Sequence, residues 1–368
     1  MLNTKRTEQE IRLYGASQRQ LTWRKFKKNR VALASGVVIV LLYIMAAFAE
    51  FVAPYDPYKR DIFRPSAPPM ALHIFANGRF QSPFAYGQTK LVNEVTFANR
   101  YVIDKSRTYK FRLFLRGDPY KLWGFFESDL HLFGTEGDEK VYLFGTDKDG
   151  RDVMSRIMFG ARLSLSIGLV GVTISFLLGI VLGSISGYFG GFVDIAIQRI
   201  IEVLTSIPTL PLWMALSASL PLRWSIIKVF FAISIILSLM RWPGMARVVR
   251  GKFLSLRNED FVTSAQLDGV RKAGVMFRHM LPLFFSHIVA SASLAIPGMI
   301  LAETSLSFLG IGLRAPAISW GVLLQAAQNT ETVVAAPWLF IPGLGVVVTV
   351  LAFNFLGDAL RDAADPYK

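Results

Sequence analysis

The chain has 368 residues, of which 52% are hydrophobic and only 18% charged, with a mean hydropathy of +0.41. A soluble chain of this length carries about 25% charged residues, so the deficit points to a membrane. The absence of cysteine excludes disulfides, thiol nucleophiles and cysteine metal sites, and the net charge of +14 clusters at the ends of apolar runs rather than along a nucleic-acid-binding stripe.

Residues 1–30 are basic, with nine Lys/Arg against two acids. Residues 31–49, VALASGVVIVLLYIMAAFA, are 19 uncharged residues. A bilayer helix needs ~20 and a cleavable signal core about 7–15, so the run reads as a retained first helix. The triplet Ala47-Phe48-Ala49 keeps signal cleavage as a minor alternative.

Residues 54–150 are too polar to span. YKFRLFL (109–115) alternates, with Tyr109, Phe111, Leu113 and Leu115 on one face and Lys110 and Arg112 on the other. HIFANGRF (73–80) places Asn77-Gly78 between apolar flanks, a hairpin signal. YVID (101–104) and KVYLFG (140–145) are further strand candidates. The density of aromatic residues argues against disorder. A small β-rich extracytoplasmic domain is expected, its aromatics mostly forming its own core.

Five more apolar runs follow, at about 163–183, 195–219, 226–242, 281–302 and 336–356. None shows the alternation of a membrane barrel. Residues 241–279 carry eight Lys/Arg against three acids, and 303–335 one against two. The positive-inside rule therefore places the N-terminus and 241–279 in the cytoplasm, and six spans return the C-terminus there. Arg223 and Lys228 fall on the outer side, at headgroup level. Pro208 and Pro211 in TSIPTLP (205–211) should kink the third span, either to shape packing or to line a pathway.

Several chemistries are missing. The four histidines form no metal-ligand spacing, and there is no GxxxxGK[ST] and no G-x-S-x-G. His287, in the fifth span, reads better as a neutral histidine bonded to a neighbouring helix than as a proton relay. Asp194 and Glu202 lie toward the cytoplasmic start of span three and Glu303 at the outer end of span five, leaving Glu202 as the acid expected inside the membrane.

Between spans four and five lies EDFVTSAQLDGVRKAGVMFRHMLP, 259–282. A short helix from Glu259 to Leu267, with Phe261 and Ala265 one turn apart, should end at Gly269. A second helical run leads to Leu281-Pro282, where proline suits the start of a membrane helix. The residues alone fit two readings: a knob that inserts into a groove of another protein, or an amphipathic loop on lipid headgroups.

This segment resembles the loop signature of permease subunits of binding-protein-dependent ABC importers: Glu-Ala-Ala, three residues, Gly, nine residues, Ile-x-Leu-Pro. Gly269, His279, Leu281 and Pro282 fit the spacing; Thr263-Ser264-Ala265 stand where Glu-Ala-Ala is usual, and His279 where Ile is usual. Similar to the family's other motifs are FGTDKDGRDVMSRIMFGARLSLSIG (144–168), GYFGGFVDIAIQRIIEVLTSIPTL (187–210), ETSLSFLGIGL (303–313) and LGDALRDAADP (356–366). The best match is the C-type subunit of the dipeptide/oligopeptide/nickel branch.

The resemblance implies an all-α polytopic membrane protein with six transmembrane helices of the type I ABC importer permease kind. It would comprise a cytoplasmic basic segment (1–30), a first helix (31–53), the β-rich extracytoplasmic insert (54–150), longer than most members carry, and a five-helix core (151–368) with a cytoplasmic coupling loop at 243–280. In such permeases the loop docks into the ATP-binding subunit. By position Asp260 would be a rim contact, Phe261 and Leu267 apolar anchors, Ala265 and Gly269 points of close backbone packing, and Pro282 the entry to the helix; Pro208 and Pro211 are pathway candidates. The implied partners are a second homologous permease, two ATP-binding subunits, an extracytoplasmic solute-binding protein and membrane lipid, with no nucleic acid. This chain would be no enzyme and bind no cofactor; ATP and Mg would sit on the partner subunits. The implied place is a bacterial or archaeal cytoplasmic (inner) membrane. A peptide is the expected solute, an oligosaccharide or opine-like compound the alternative, and a stand-alone ion-coupled carrier the reading from another class. The insert could serve as a lid or docking scaffold for the binding protein.

Overall fold

The computed structural model describes residues 26–76, 79–92, 94, 99–135, 139–328 and 334–364. The first 25 residues of the basic segment, and the Asn77-Gly78 turn, lie outside them. Helix α1 (Arg30–Ala47) starts where the Asn29 side chain accepts the Ala32 N–H at 3.1 Å, satisfying a free donor of the first turn. One turn, α2 (Ala49–Val52), follows. Then comes the insert, and then the long helix α3 (Val153–Phe189).

Helix α3 has 37 residues, about 55 Å at 1.5 Å per residue, well beyond a hydrocarbon core of ~30 Å. The charge-free stretch at 163–183 is only its middle. Asp152 caps its start by accepting the Ser155 N–H at 2.7 Å.

Helices α4 (Gly191–Ser206) and α5 (Thr209–Ala218) meet at 84°, and α6 (Ile226–Leu239) and α7 (Trp242–Leu256) at 45°. The first break falls at Ile207-Pro208, so the kink expected from TSIPTLP is present and larger than a bent helix would give. Next come α8 (Asp260–Leu267) and the helical stretch Lys272–Phe308, whose main part is α9 (Phe285–Phe308). Short α10 (Trp320–Gln325) and α11 (Ile341–Ala364) complete the chain. Among the described residues, four helical stretches are long and apolar enough to cross a membrane: Arg30–Ala47, Val153–Phe189, Lys272–Phe308 and Pro337–Ala363.

Lipid is as apolar as leucine, so helices here must associate through close packing and polar ties. Helix α3 lies at the centre, against α1, α7 and α9, and α11 closes on α1 and α9. Trp320 is fully buried, and its indole N–H donates to Ile157 O of α3 at 3.0 Å.

The insert is a four-stranded antiparallel meander: β1 (Leu72–Ala76), β2 (Arg79–Val92), β3 (Asn99–Leu122) and β4 (Phe126–Thr135). The first half of β3 pairs with β2 and the second half with β4. The expected β1–β2 hairpin closes with Ala76 opposite Arg79. KVYLFG is a correction: it is no strand. Val141 and Tyr142 are buried, but the Val141 N–H is taken by the Tyr55 hydroxyl (2.9 Å) and the Tyr142 carbonyl by the Met70 N–H (2.9 Å), leaving no ladder to join. The aromatics also depart from expectation. Tyr55, Phe84 and Tyr142 are buried, but Phe75, Phe80, Phe114, Trp123, Phe125 and Phe126 are exposed.

Candidate coupling site

The segment 259–282 folds as a helix, a glycine turn and a helical stem. At the end of α8 the Val270 N–H donates to Ala265 O and the Gly269 N–H to Gln266 O, both at 3.1 Å, the paired bonds of a Schellman ending. Gly269 has φ +75°, the left-handed conformation that a β-carbon penalises. A β-carbon there would meet nothing within 4 Å. The backbone conformation, and not crowding within this chain, is what demands glycine.

Helix α8 has two faces. Val262 and Ala265 are buried against Phe253 of α7 and Met276 and Met280 of the stem, in a cluster that continues to Phe284 and Ile288. Asp260, Phe261, Thr263, Ser264 and Leu267 point outward, with Leu267 84% exposed. Phe261 and Leu267 thus lie at the surface. Ala265, expected as a point of close packing, faces its own chain: its small side chain lets α8 lie close on α7 and the stem. The stem starts with one α-turn (Lys272–Gly274), passes through a π-helical run (Val275–Met280) and a 3-10 turn (Leu281–Phe284), then becomes α9. Pro282 sits in the first turn of that 3-10 segment, where its missing N–H costs nothing.

Behind α8 the support is tight, for a reason the sequence held but the motif reading passed over. Gly179, Gly183 and Gly187 repeat every four residues along α3, the small-residue spacing that lets helices approach closely. Added β-carbons would lie 2.7 Å from Met245 Cβ, 2.5 Å from Ala246 O and 2.6 Å from Phe253 Cβ. A bidentate pair also locks the end nearest α8: Arg250 of α7 reaches Asp194 of α4 with Nη2–Oδ2 at 2.6 Å, and Ser186 of α3 donates to the same carboxylate. The Gln266 amide of α8 donates to the Tyr188 hydroxyl at 3.2 Å. Helices α3, α4, α7 and α8 therefore form one polar and steric unit at this end.

Elsewhere the two acids differ sharply in burial. Glu202 is surface-exposed and paired with Arg199 at 2.7 Å. Glu303, expected outside the bilayer, is the fully buried one. Its Oε1 accepts from Ser307 Oγ at 2.7 Å and Ser319 Oγ at 2.8 Å, and Ser164 Oγ of α3 approaches Oε2 at 3.4 Å. This carboxyl ties α3, α9 and the start of α10 together. His287 makes no hydrogen bond among the described residues, so the neighbouring-helix bond expected for it is not formed. Pro208 and Pro211 are exposed at the α4–α5 break, Pro211 within the first turn of α5.

Comparison with known proteins matches this architecture. The family described as binding-protein-dependent transport system inner membrane component matches residues 179–367, and the N-terminal TM domain of oligopeptide transport permease C matches residues 17–69. The dipeptide transport system permease protein DppC of Bacillus subtilis is 31% identical over 95% of this chain and 86% of its own length. OppC, the oligopeptide permease of the same organism, is 37% identical over 93% and 87%. OppC of Escherichia coli is 41% identical over 64% of this chain and 72% of its own. Among solved structures, an inward-facing form of the MetNI methionine ABC transporter shares 17% identity, with a TM-score of 0.43 over 58% of this chain and 97% of that one. The family match spans just over half of the chain and the two Bacillus subtilis relatives nearly all of it: the chain belongs to the binding-protein-dependent transport system inner membrane components, the permease subunits of ABC importers.

Proposed function

We propose that this permease takes a peptide from an extracytoplasmic solute-binding protein and passes it to the cytoplasm by alternating access. It would work beside a second homologous permease and two ATP-binding subunits that carry the ATP and Mg. The observation that carries the reading is the two-faced helix α8, with Phe261 and Leu267 presented outward and Val262 and Ala265 seated on α7 and the α9 stem. An external surface fixed to an internal lever is what an energy input needs. The relatives are dipeptide and oligopeptide transport permeases, which supports a peptide as solute.

Six crossings follow if each bent pair counts as one span with the four long stretches. The basic residues at 1–30 and 241–279 then put both termini and α8 on the cytoplasmic side. In this frame, closure of the nucleotide-bound dimer moves α8, and the glycine-packed α3–α7 pair carries the displacement inward. Pro208 and Pro211, at the 84° break, are placed to move with it and line the path. The insert acts as a docking scaffold, with exposed Phe75 and Phe80 of the β1–β2 hairpin as its contact surface. Deleting residues 65–140 is expected to weaken affinity for the binding protein; unchanged docking and uptake would remove that role.

Gly269→Asp tests the coupling itself. It adds a charged side chain at the outer end of α8, where nothing of this chain would meet it. Uptake should be lost while membrane insertion stays normal. Full uptake with normal ATPase coupling would sink the docking reading.

A further inference from the structure

Arg241 occupies the junction of α6 and α7, inside the helical core. Its guanidinium lies against Gly298, midway along α9 and next to the helix-interior Pro297. A β-carbon at Gly298 would collide with that guanidinium, so the glycine makes its room. Two other core arginines are paired, Arg162 with Glu50 and Arg250 with Asp194. Arg241, half-buried, has no hydrogen bond or ion pair from its guanidinium among the described residues.

Arg241 also lines a cavity of about 210 Å³ between α3, the α6–α7 junction and α9, together with Ser175, Phe176, Gly244, Ser291 and Met299. The Ser175 hydroxyl, 1% exposed, likewise lacks a partner. A cation within a membrane is costly and persists where it faces a water-filled path or an anion. Arg241 and Ser175 thus line one space, and no acid among the described residues pairs with either. A carboxylate answers both: its two oxygens take the guanidinium fork side by side, with a lone pair left for the hydroxyl.

We propose that Arg241, with Ser175, is a carboxylate-binding point on the translocation path, met by the C-terminal carboxylate of the peptide in transit. This rests on the peptide reading above. The test uses the assembled importer in proteoliposomes and compares tetra-alanine with its C-terminal amide. Arg241→Gln should lower uptake of the free acid by about tenfold or more, the size of one lost charged contact. Amide uptake and binding-protein-stimulated ATP hydrolysis should not change, and Arg241→Lys should restore part of the loss. Equal loss for both peptides, no loss for either, or failure to assemble with the second permease would overturn the proposal.

If the unaltered importer takes up neither peptide, the peptide reading fails by itself, and a second measurement decides the site. In this cysteine-free chain, Ser291→Cys should react roughly tenfold faster with an anionic than a cationic methanethiosulfonate reagent, because the nearby cation raises the local anion concentration. Adding Arg241→Gln should abolish the preference. No reaction, or a preference independent of Arg241, would overturn the carboxylate site.

A second inference stands on different residues. The β3–β4 hairpin turns through Trp123, Gly124 and Phe125, and its tip lies at the outer end of α1. Trp123 Nε1–H donates to Ala47 O at 2.7 Å, its ring is 5.3 Å from Phe48, and Phe114 is 6.4 Å from Phe51. Phe125 is 83% exposed and Phe126 63%, whereas the stem just behind carries the Lys121–Glu127 pair. The tip continues the exposed apolar face of α1 at Val37, Leu41 and Ile44. We infer that the tip sits in the interfacial layer of the outer leaflet, where tryptophan and its neighbours hold a polar edge and an apolar body. A spin label on Phe125→Cys, with Asp129→Cys as the stem reference, should be reached by oxygen and not by a water-soluble nickel chelate. Chelate access equal to that at 129, or shielding from both reagents, would overturn it, the latter indicating a protein cover.

Discussion

The two ends of the molecule solve opposite problems. At the α8 end, apolar side chains turn inward: Val262, Ala265, Met276 and Met280 hold α8 down, and on α8 itself Phe261 and Leu267 are left out. In the insert the buried cluster is small, Tyr55, Met70, Ala85, Val141 and Tyr142, and many large aromatics remain outside. The insert is fixed instead by polar ties. The buried His131 sets Nδ1 2.6 Å from Ala53 O and Nε2 2.9 Å from Asp118 O, and Tyr55 OH bonds to both Thr135 and Val141. One region is held by close apolar packing, and the other is a sheet pinned at a few points with much of its apolar surface exposed.

Substitutions should separate the two regimes. Gly183→Leu is the most severe, because even its β-carbon would press on Ala246 O. Overpacking of this kind costs about 1–3 kcal/mol or more. Loss of the folded, assembled protein in detergent melting curves is expected, while the isosteric contrast Leu178→Met on the same helix should melt normally.

Asp152 comes next. Burial pushes its carboxyl up to about 6, against the opposing hydrogen bonds from Ser155. The folded value is raised, so the stabilising effect of the neutral form is full below the ordinary value of about 3.9 and is lost as pH rises through about 6. Asp152→Asn keeps a competent cap and should stabilise at pH 7 by on the order of 2 kcal/mol. That gain should vanish near pH 4, as thermal melts at both pH values would show.

Tyr55→Phe should act on the insert alone. It strands the buried Val141 N–H, at a cost of roughly 1–2 kcal/mol. Proteolysis should become faster within residues 54–150 and not within α8. Leu267→Ala is the smallest in stability, within about 0.5 kcal/mol for an exposed site. It should nevertheless weaken capture of the ATP-binding subunits; unchanged capture would show that Leu267 is no anchor.

Legibility followed the same division. The apolar runs, the proline break and the glycine ending of α8 were readable because each has a local cause: chain composition, a missing N–H, a positive φ. The burial of Glu303 was not, since its position past the densest apolar run hid three serines that approach it from separate elements. Nor was the irregular path of Val141-Tyr142, fixed by the Tyr55 hydroxyl from 86 residues away. The outward face of α8 was half legible: spacing paired Phe261 with Ala265, but Val262 and Ala265 share the buried side. The glycine stripe of α3 was in plain view, and its meaning needed the partner helix.

Helix α3 runs unbroken from the cap at Asp152, beside the insert, to Tyr188, where Gln266 of the coupling helix is bonded. Its insert end also receives the Tyr55 N–H on Ser155 Oγ. A single rigid rod with a load at each end has no preferred direction of causation. If the proposed docking at the insert end exchanges free energy with nucleotide state at the α8 end, linkage requires the reverse effect to be equal. A binding protein that favours ATP closure must itself be held more tightly when ATP is bound.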